Sequence, residues 1–196
     1  MHDSVQKYKD IISAIDRKIE EQKLNKTPKV IAVSKTFKLE KILPLIEYGH
    51  LDYGENKVQE AIDKWSSIKL KNQNIRLHLI GRLQTNKVKH AIKIFDYIHS
   101  LDSMKLAKKI ADEQDKQNKK IKLFIQVNIG DEQQKSGVNK NQIKDLIDFS
   151  KKLDLNVIGL MCIPPINEKP EKYFKEIKFL NKEFNLEEIS MGMSSD

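Results

Sequence analysis

The sequence has few of the residues that build disulfide-bonded, metal-binding or membrane-spanning proteins. Cys162 is the only cysteine among 196 residues, so an internal disulfide and a zinc site made of cysteines are both excluded. The five histidines show no spacing typical of metal ligands, and we predict no metal site. No apolar run is as long as a membrane span, and the N-terminal stretch MHDSVQKYKD lacks the apolar core of a signal peptide. We therefore expect a cytoplasmic protein without membrane association.

Acidic residues are also outnumbered, with 28 against 36 basic residues and a net charge of +8. A basic protein invites a nucleic-acid-binding interpretation, and such a module would show strongly salt-dependent binding. The basic residues are, however, spread through every helical segment. The densest stretch, which contains Arg82, Lys87, Lys89 and Lys93, has no aromatic platform on which bases could stack. We therefore expect no nucleic-acid partner.

Short β-branched runs alternate with amphipathic segments along the chain. The opening helix is predicted from Val5 to about Glu21, with Asp3 or Ser4 as its N-cap. Gly49 should end the second helix, which Pro44 should bend. The predicted strands cover residues 30–33, 51–54, 76–80, 97–100, 123–127, 157–161 and 188–191. No repeat or linker divides the chain, so we predict one domain over residues 1–196.

Strands that are each separated by a helix favour a parallel sheet. Two arrangements fit this order: an open doubly wound sheet, or a (β/α)8 TIM-type barrel that lacks its eighth strand. The doubly wound sheet usually carries a glycine-rich turn after an early strand, and the segment SKTFK after the first strand has no glycine. The barrel is therefore the better interpretation, with the eighth strand missing from this chain.

The working face of such a barrel lies at the carboxyl ends of its strands, and the first strand ends on Ser34 and Lys35. A lysine there is either solvated surface or an amine placed to attack a carbonyl. Glu55 and Asn56 follow the second strand, where they either cap the next helix or serve a site. His78 lies among leucines and is best interpreted as a barrel-interior histidine. The final SMGMSSD is either a phosphate-binding segment or a flexible chain end.

Seven stretches, taken in order, resemble the pyridoxal-phosphate homeostasis proteins, which are single-domain relatives of the alanine racemase barrel. They are IAVSKTF, YGENKVQE, LHLIGRLQTNKVK, IHSLDSMKLA, IQVNIGDEQQKSG, GLMCIPP and SMGMSSD. The resemblance covers nearly the whole chain from about residue 5. It implies a barrel of the alanine-racemase type with pyridoxal phosphate at its mouth.

The resemblance also implies which residues hold the cofactor. Lys35 matches the lysine that forms the internal aldimine, and Asn56 matches a residue beside the cofactor. Ser190, Gly192 and Ser194 match the segment that lines the cofactor and forms part of its phosphate cradle. The family continues with a further helix, a second phosphate loop and an arginine that faces the pyridine nitrogen, so we expect the site of this chain to be incomplete.

The function implied by the resemblance is vitamin B6 and amino-acid homeostasis, with the cofactor carried or buffered as an aldimine on Lys35. Racemases of this fold take a second base from an added domain, so no catalytic residue and no significant turnover are expected here. The alternative is a pyridoxal-phosphate-dependent amino-acid racemase. Apo pyridoxal-phosphate enzymes are the expected partners, and the protein is expected to be a monomer.

Overall fold

The computed structural model of the protein describes residues 2–132 and 136–193. The strands are β1 (Ala32–Val33), β2 (Asp52–Glu55), β3 (Arg76–Leu79), β4 (Tyr97–Leu101), β5 (Lys122–Val127), β6 (Asn156–Cys162) and β7 (Glu188–Ser190). The helices are α1 (Asp3–Gln22), α2 (Leu39–Glu47), α3 (Val58–Lys71), α4 (Val88–Ile94), α5 (Met104–Gln117), α6 (Ile143–Lys152) and α7 (Glu171–Glu183).

The sheet follows the chain order from β1 to β7, and every neighbouring pair of strands is parallel. Because parallel crossovers are right-handed, this sequential order places the connecting helices on one face of the sheet. The result is the barrel-type α/β fold predicted from the sequence, whereas the doubly wound alternative is wrong because its strand order reverses partway. All carboxyl ends of the strands share one edge, which is where side chains from distant segments meet.

The main core lies between the sheet and its helices. Successive side chains of a strand point to opposite faces, so Tyr53 faces α3, where its ring lies 4.7 Å from that of Trp65. Leu77, Leu79 and Ile98 are fully buried in the same layer. The other face, which we call the inner face, carries a smaller apolar cluster of Tyr97, Phe124 and Met161. Polar side chains of the inner face therefore have apolar surroundings.

The helix ends follow local rules that the sequence predicts only in part. Gly49 ends α2 as predicted: its φ is +99°, and the Gly49 and His50 amides donate to the carbonyls of Ile46 and Leu45. The predicted N-cap of α1 is wrong, because the ring of His2 takes that place and accepts from the amide of Ser4. Among the described residues, no helix is both long and apolar enough to cross a membrane.

The packing between the sheet and its helices can be tested directly with two leucines. We expect Leu79→Ala to lower the free energy of unfolding by about 2–5 kcal/mol, because the leucine is 0 % exposed and its loss leaves a cavity. Leu70→Ala is the matched control, since Leu70 is 81 % exposed and its loss should change stability by no more than about 0.5 kcal/mol. Urea denaturation measures both, and equal losses would contradict the described layer.

Candidate functional site

Lys35 lies just beyond the carboxyl end of β1, at the edge of the sheet where all strands end. Val33 pairs with Gly54 of β2, and Lys35 and Asn56 each follow two residues after their member of this pair. Lys35 is exposed to solvent, whereas Asn56 is half-buried. Two residues that the family resemblance assigns to the cofactor thus follow the ends of neighbouring strands.

A tight turn carries Lys35. The amide of Phe37 donates to the carbonyl of Ser34 at 3.2 Å, which closes a four-residue turn with Lys35 and Thr36 at its centre. Thr36 has a φ of +66°, a conformation that a β-branched residue rarely adopts and that glycine usually supplies. Strained residues of this kind persist where the surrounding structure holds them, and they concentrate at functional sites.

The Glu55 carboxylate stabilises this turn through hydrogen bonds. Its Oε1 accepts hydrogen bonds from the Ser34 hydroxyl at 2.7 Å, the Lys64 ammonium at 2.8 Å and the Trp65 indole at 3.0 Å. Lys64 also donates to the carbonyl of Ser34 at 2.7 Å. We call Ser34, Glu55, Lys64 and Trp65 the carboxylate clamp. The clamp joins β1, β2 and α3, and it fixes the residue that precedes Lys35.

The capping interpretation of Glu55 and Asn56 is wrong. The N-cap of α3 is Lys57, whose side chain makes no capping hydrogen bond, and Glu55 is the last residue of β2. Asn56 instead lies against Gly81, just beyond the end of β3. A Cβ on Gly81 would come within 2.3 Å of the Asn56 carbonyl oxygen, so only glycine allows this approach of the two loops.

Ser190 and Gly192 lie at the end of β7, which is the last strand of the described sheet, on the side opposite β1. Ser190 is the last residue of β7 and is half-buried. Gly192 has a φ of +88°, and the space in which its Cβ would lie is open. Ser194 lies outside the described residues. Lys35 and Asn56 therefore follow the carboxyl ends of β1 and β2, and Ser190 and Gly192 lie at the carboxyl end of β7.

A chain of hydrogen bonds crosses the inner face from β2 to Ser190. The Asp52 carboxylate accepts from Arg76 Nε at 2.7 Å and from Arg76 Nη2 at 2.6 Å. His78 Nε2 lies 3.0 Å from Asp52 Oδ1, and His78 Nδ1 lies 2.9 Å from His99 Nε2. His99 Nδ1 lies 2.7 Å from Ser190 Oγ. We call Asp52, His78, His99 and Ser190 the inner chain.

Aromatic neighbours hold both histidine rings of the inner chain. Tyr97 stacks on His78 with ring centroids 4.2 Å apart, and Phe124 stacks on His99 at 4.3 Å. His78 is 4 % exposed and His99 is 1 % exposed, which confirms the interpretation of His78 as an interior histidine. Interior rings that are stacked and hydrogen-bonded have few alternative orientations.

Burial sets the charge of these groups. It lowers the pKa of His99 to about 3, and the nearby charge of His78 acts in the same direction. Burial also lowers the pKa of His78, and this effect outweighs the opposing hydrogen bond to Asp52. For Asp52, burial raises the pKa, but the hydrogen bonds from His78 and Arg76 hold it well below its usual range. At neutral pH the inner chain therefore holds one carboxylate and two neutral rings.

Sequence reasoning names Ser34, Glu55, His78 and Ser190, but it misses their hydrogen bonds to one another and to the other members of the clamp and the inner chain. Glu55 and His99 are ordinary polar residues by composition, and their partners lie 21 and 91 residues away. One signal was available: His78 and His99 each stand in a short run of residues typical of a strand. Polar rings on two successive strands, with neither near a metal-ligand pattern, indicate hydrogen bonding across a shared face.

The chemistry of this edge centres on an amine. Lys35 presents an exposed primary amine on a fixed turn, and primary amines condense with aldehydes. Gly192 is exposed and has the positive φ found in anion-binding turns of the main chain. Within residues 2–132 and 136–193, no group of three or more His, Cys, Asp or Glu is placed to hold a metal ion. The residues present thus fit an aldehyde that also carries an anionic group.

Comparison with known proteins first identifies the class. Residues 12–196 match the family described as alanine racemase, N-terminal domain. The fold agrees: an alanine racemase of Clostridium difficile 630 superposes with a TM-score of 0.65 at 15 % identity, over 93 % of this chain and 49 % of that one. At that identity the likeness shows the fold alone. The class is thus the barrel domain of alanine racemase type.

Within this class, similar sequences identify the family. The pyridoxal phosphate homeostasis protein of Aquifex aeolicus is 40 % identical over 86 % of this chain and 77 % of its own length. That of Pasteurella multocida is 34 % identical over the same shares. PipY of Synechococcus elongatus, solved with PLP (pyridoxal phosphate) bound, superposes with a TM-score of 0.79 at 29 % identity over 94 % of this chain and 90 % of its own. The chain belongs to the family of pyridoxal phosphate homeostasis proteins.

The carboxylate clamp predicts that Glu55→Gln is strongly destabilising. The amide cannot accept from all three donors and leaves the largely buried Lys64 ammonium without its counter-charge. We expect a loss of roughly 2–3 kcal/mol, the range for a charged hydrogen bond whose partner is removed. Glu60→Gln is the matched control, because its ion pair with Lys57 is exposed and its loss should not be measurable. Chemical denaturation compares the two, and a neutral Glu55→Gln would contradict the clamp.

The neutral buried histidines predict a pH dependence of stability. The His99 pKa is 6.5 in an unfolded chain and about 3 in the fold, so unfolding takes up a proton between these values. Stability should therefore be fully present above pH 6.5 and fall as the pH drops toward 3. His99→Phe should reduce the slope of unfolding free energy against pH, between about pH 4.5 and 6, by about 1.4 kcal/mol per unit. Unchanged slopes in denaturation series would contradict a neutral His99.

Proposed function

We propose that this protein binds pyridoxal phosphate through a covalent bond to Lys35, and that it holds and releases the cofactor in vitamin B6 and amino-acid homeostasis. The observation that carries the proposal is the turn of Lys35. An exposed lysine stands at the carboxyl end of β1, on a turn with a strained Thr36 and a buried carboxylate clamp behind it. Surface lysines without a role do not need such support.

The names and structures of the relatives support pyridoxal phosphate as the ligand. Proteins up to 40 % identical are called pyridoxal phosphate homeostasis proteins, and PipY has been solved with PLP bound. Bound pyridoxal phosphate supplies an aldehyde and an electron-withdrawing ring. Lys35 provides the amine, and Asn56 follows the end of the neighbouring strand β2. The exposed main chain at Gly192, after the end of β7, is where an anion would bind.

The second part of the proposal is that the protein is a holder of the cofactor with no significant turnover of amino acids. The family name of its relatives supports this role, whereas alanine racemases share its fold at 13–15 % identity. Steady-state assays with L-alanine and other amino acids test this part. We expect no racemisation, and a rate of about one turnover per second or more would make the protein an ordinary enzyme.

Borohydride trapping tests the role of Lys35 directly. The protein is mixed with pyridoxal phosphate, reduced with borohydride and mapped by peptide mass spectrometry. We expect the adduct on Lys35, and we expect Lys35→Ala to abolish it. Because the lysine side chain is exposed, the variant should change stability by no more than about 1 kcal/mol.

Lys38→Ala is the matched control. Lys38 is the exposed N-cap residue of α2, and its side chain makes no capping hydrogen bond, so its variant should trap the cofactor as the unaltered protein does. Recovery of the adduct on Lys135 or on another lysine, with Lys35→Ala still labelled, would refute the assignment.

A further inference from the structure

Asp52 fixes the direction of hydrogen-bond donation along the inner chain. An ionised carboxylate only accepts hydrogen bonds, so the proton between Asp52 and His78 sits on His78 Nε2. Arg76 already gives the carboxylate two hydrogen bonds and a full positive charge. A second positive charge on the buried His78 ring would have no counter-charge, so His78 is neutral and its Nδ1 carries a lone pair.

The donor and acceptor atoms of the other pairs in the inner chain then follow, one ring after the other. Because His78 Nδ1 accepts, His99 Nε2 is the donor across their 2.9 Å contact. The neutral His99 ring has one proton, so its Nδ1 also accepts. Ser190 Oγ lies 2.7 Å from this nitrogen and must donate its single proton to it. The hydroxyl oxygen is left with lone pairs alone.

We propose that Asp52 is a positioning residue that fixes Ser190 as a hydrogen-bond acceptor, so that this point of the site selects a group that donates a hydrogen bond. The direction of hydrogen-bond donation along the inner chain follows from the residues that form it. Only the identity of the ligand rests on the proposed function. An N–H group, whether a cationic side chain or a protonated ring nitrogen, is the chemistry that fits.

This direction excludes one role for Ser190. A phosphate dianion carries only acceptor oxygens, and it gains nothing beside a hydroxyl whose proton is already given to His99. Ser190 is therefore not part of the phosphate cradle that the family resemblance implies. A phosphate needs hydrogen-bond donors around its oxygens. Among the described residues at this end of the sheet, the main chain at Gly192 is the candidate donor.

Long-range proton–nitrogen NMR on the histidine-labelled protein tests the direction without any ligand. We expect the Nε2–H tautomer for both His78 and His99. Asp52→Ala should remove this fixed direction and allow Nδ1–H to appear on His99. Arg76→Lys keeps both the acceptor and the positive charge, so it should leave the Nε2–H tautomer in place. A pure Nδ1–H form in the unaltered protein would overturn the proposal, and so would an Asp52→Ala variant with unaltered tautomers.

Ser190→Ala provides a second variant that removes only one oxygen from a half-buried position. If Asp52 sets the direction, His99 keeps its Nε2–H tautomer in this variant. If Ser190 itself set the direction, the tautomers of His99 would mix, and the proposal would fail. This variant keeps the test open even if Asp52→Ala does not fold.

Ligand affinities test the consequence for the phosphate. The ratio of the affinities for pyridoxal phosphate and for pyridoxal should be the same in Ser190→Ala as in the unaltered protein. A serine that donated to the phosphate would make this ratio fall by about tenfold or more in the variant. If neither compound binds, the proposed function fails, while the tautomer measurements still decide the direction of the chain.

Discussion

Parallel pairing of each strand with the next one in the chain is the constraint on which the rest of the structure depends. It places every carboxyl end at one edge of the sheet and the helices on one face. Lys35, Asn56 and Ser190 share this edge for no other reason, although up to 155 positions separate them in the sequence. The same pairing leaves an inner face without helices, where polar side chains can contact one another across strands.

The inner face illustrates how a buried polar chain is tolerated. Each group of the inner chain has a partner, and the single charge of Asp52 is compensated by Arg76. Burying such groups without partners would cost several kcal/mol in total, at roughly 1–3 kcal/mol for each unsatisfied group. Stacking by Tyr97 and Phe124 keeps the rings in place. A chain of this kind specifies one arrangement of the strands that form it.

The fold could be predicted from the sequence because it depends on patterns that local physics enforces. Apolar periodicity and the alternation of strands and helices predict all seven strands, and every predicted strand ends within one residue of the observed end. β1 begins two residues later than the prediction, at Ala32. β2 is displaced by one residue, because an acidic residue such as Glu55 is disfavoured in a buried strand. Only the donors of Ser34, Lys64 and Trp65 make its position stable, and they cannot be seen in a local pattern.

The carboxylate clamp has a consequence for the order of folding. Its residues lie within 31 positions of one another, from Ser34 to Trp65, whereas the contact of His99 with Ser190 closes a loop of 91 residues. Loop closure is entropically cheaper for nearby residues, so local contacts form earlier than distant ones. The turn that carries Lys35 should therefore take shape while the second half of the chain is still unstructured. During synthesis, the reactive amine would be presented before the far wall of its site exists.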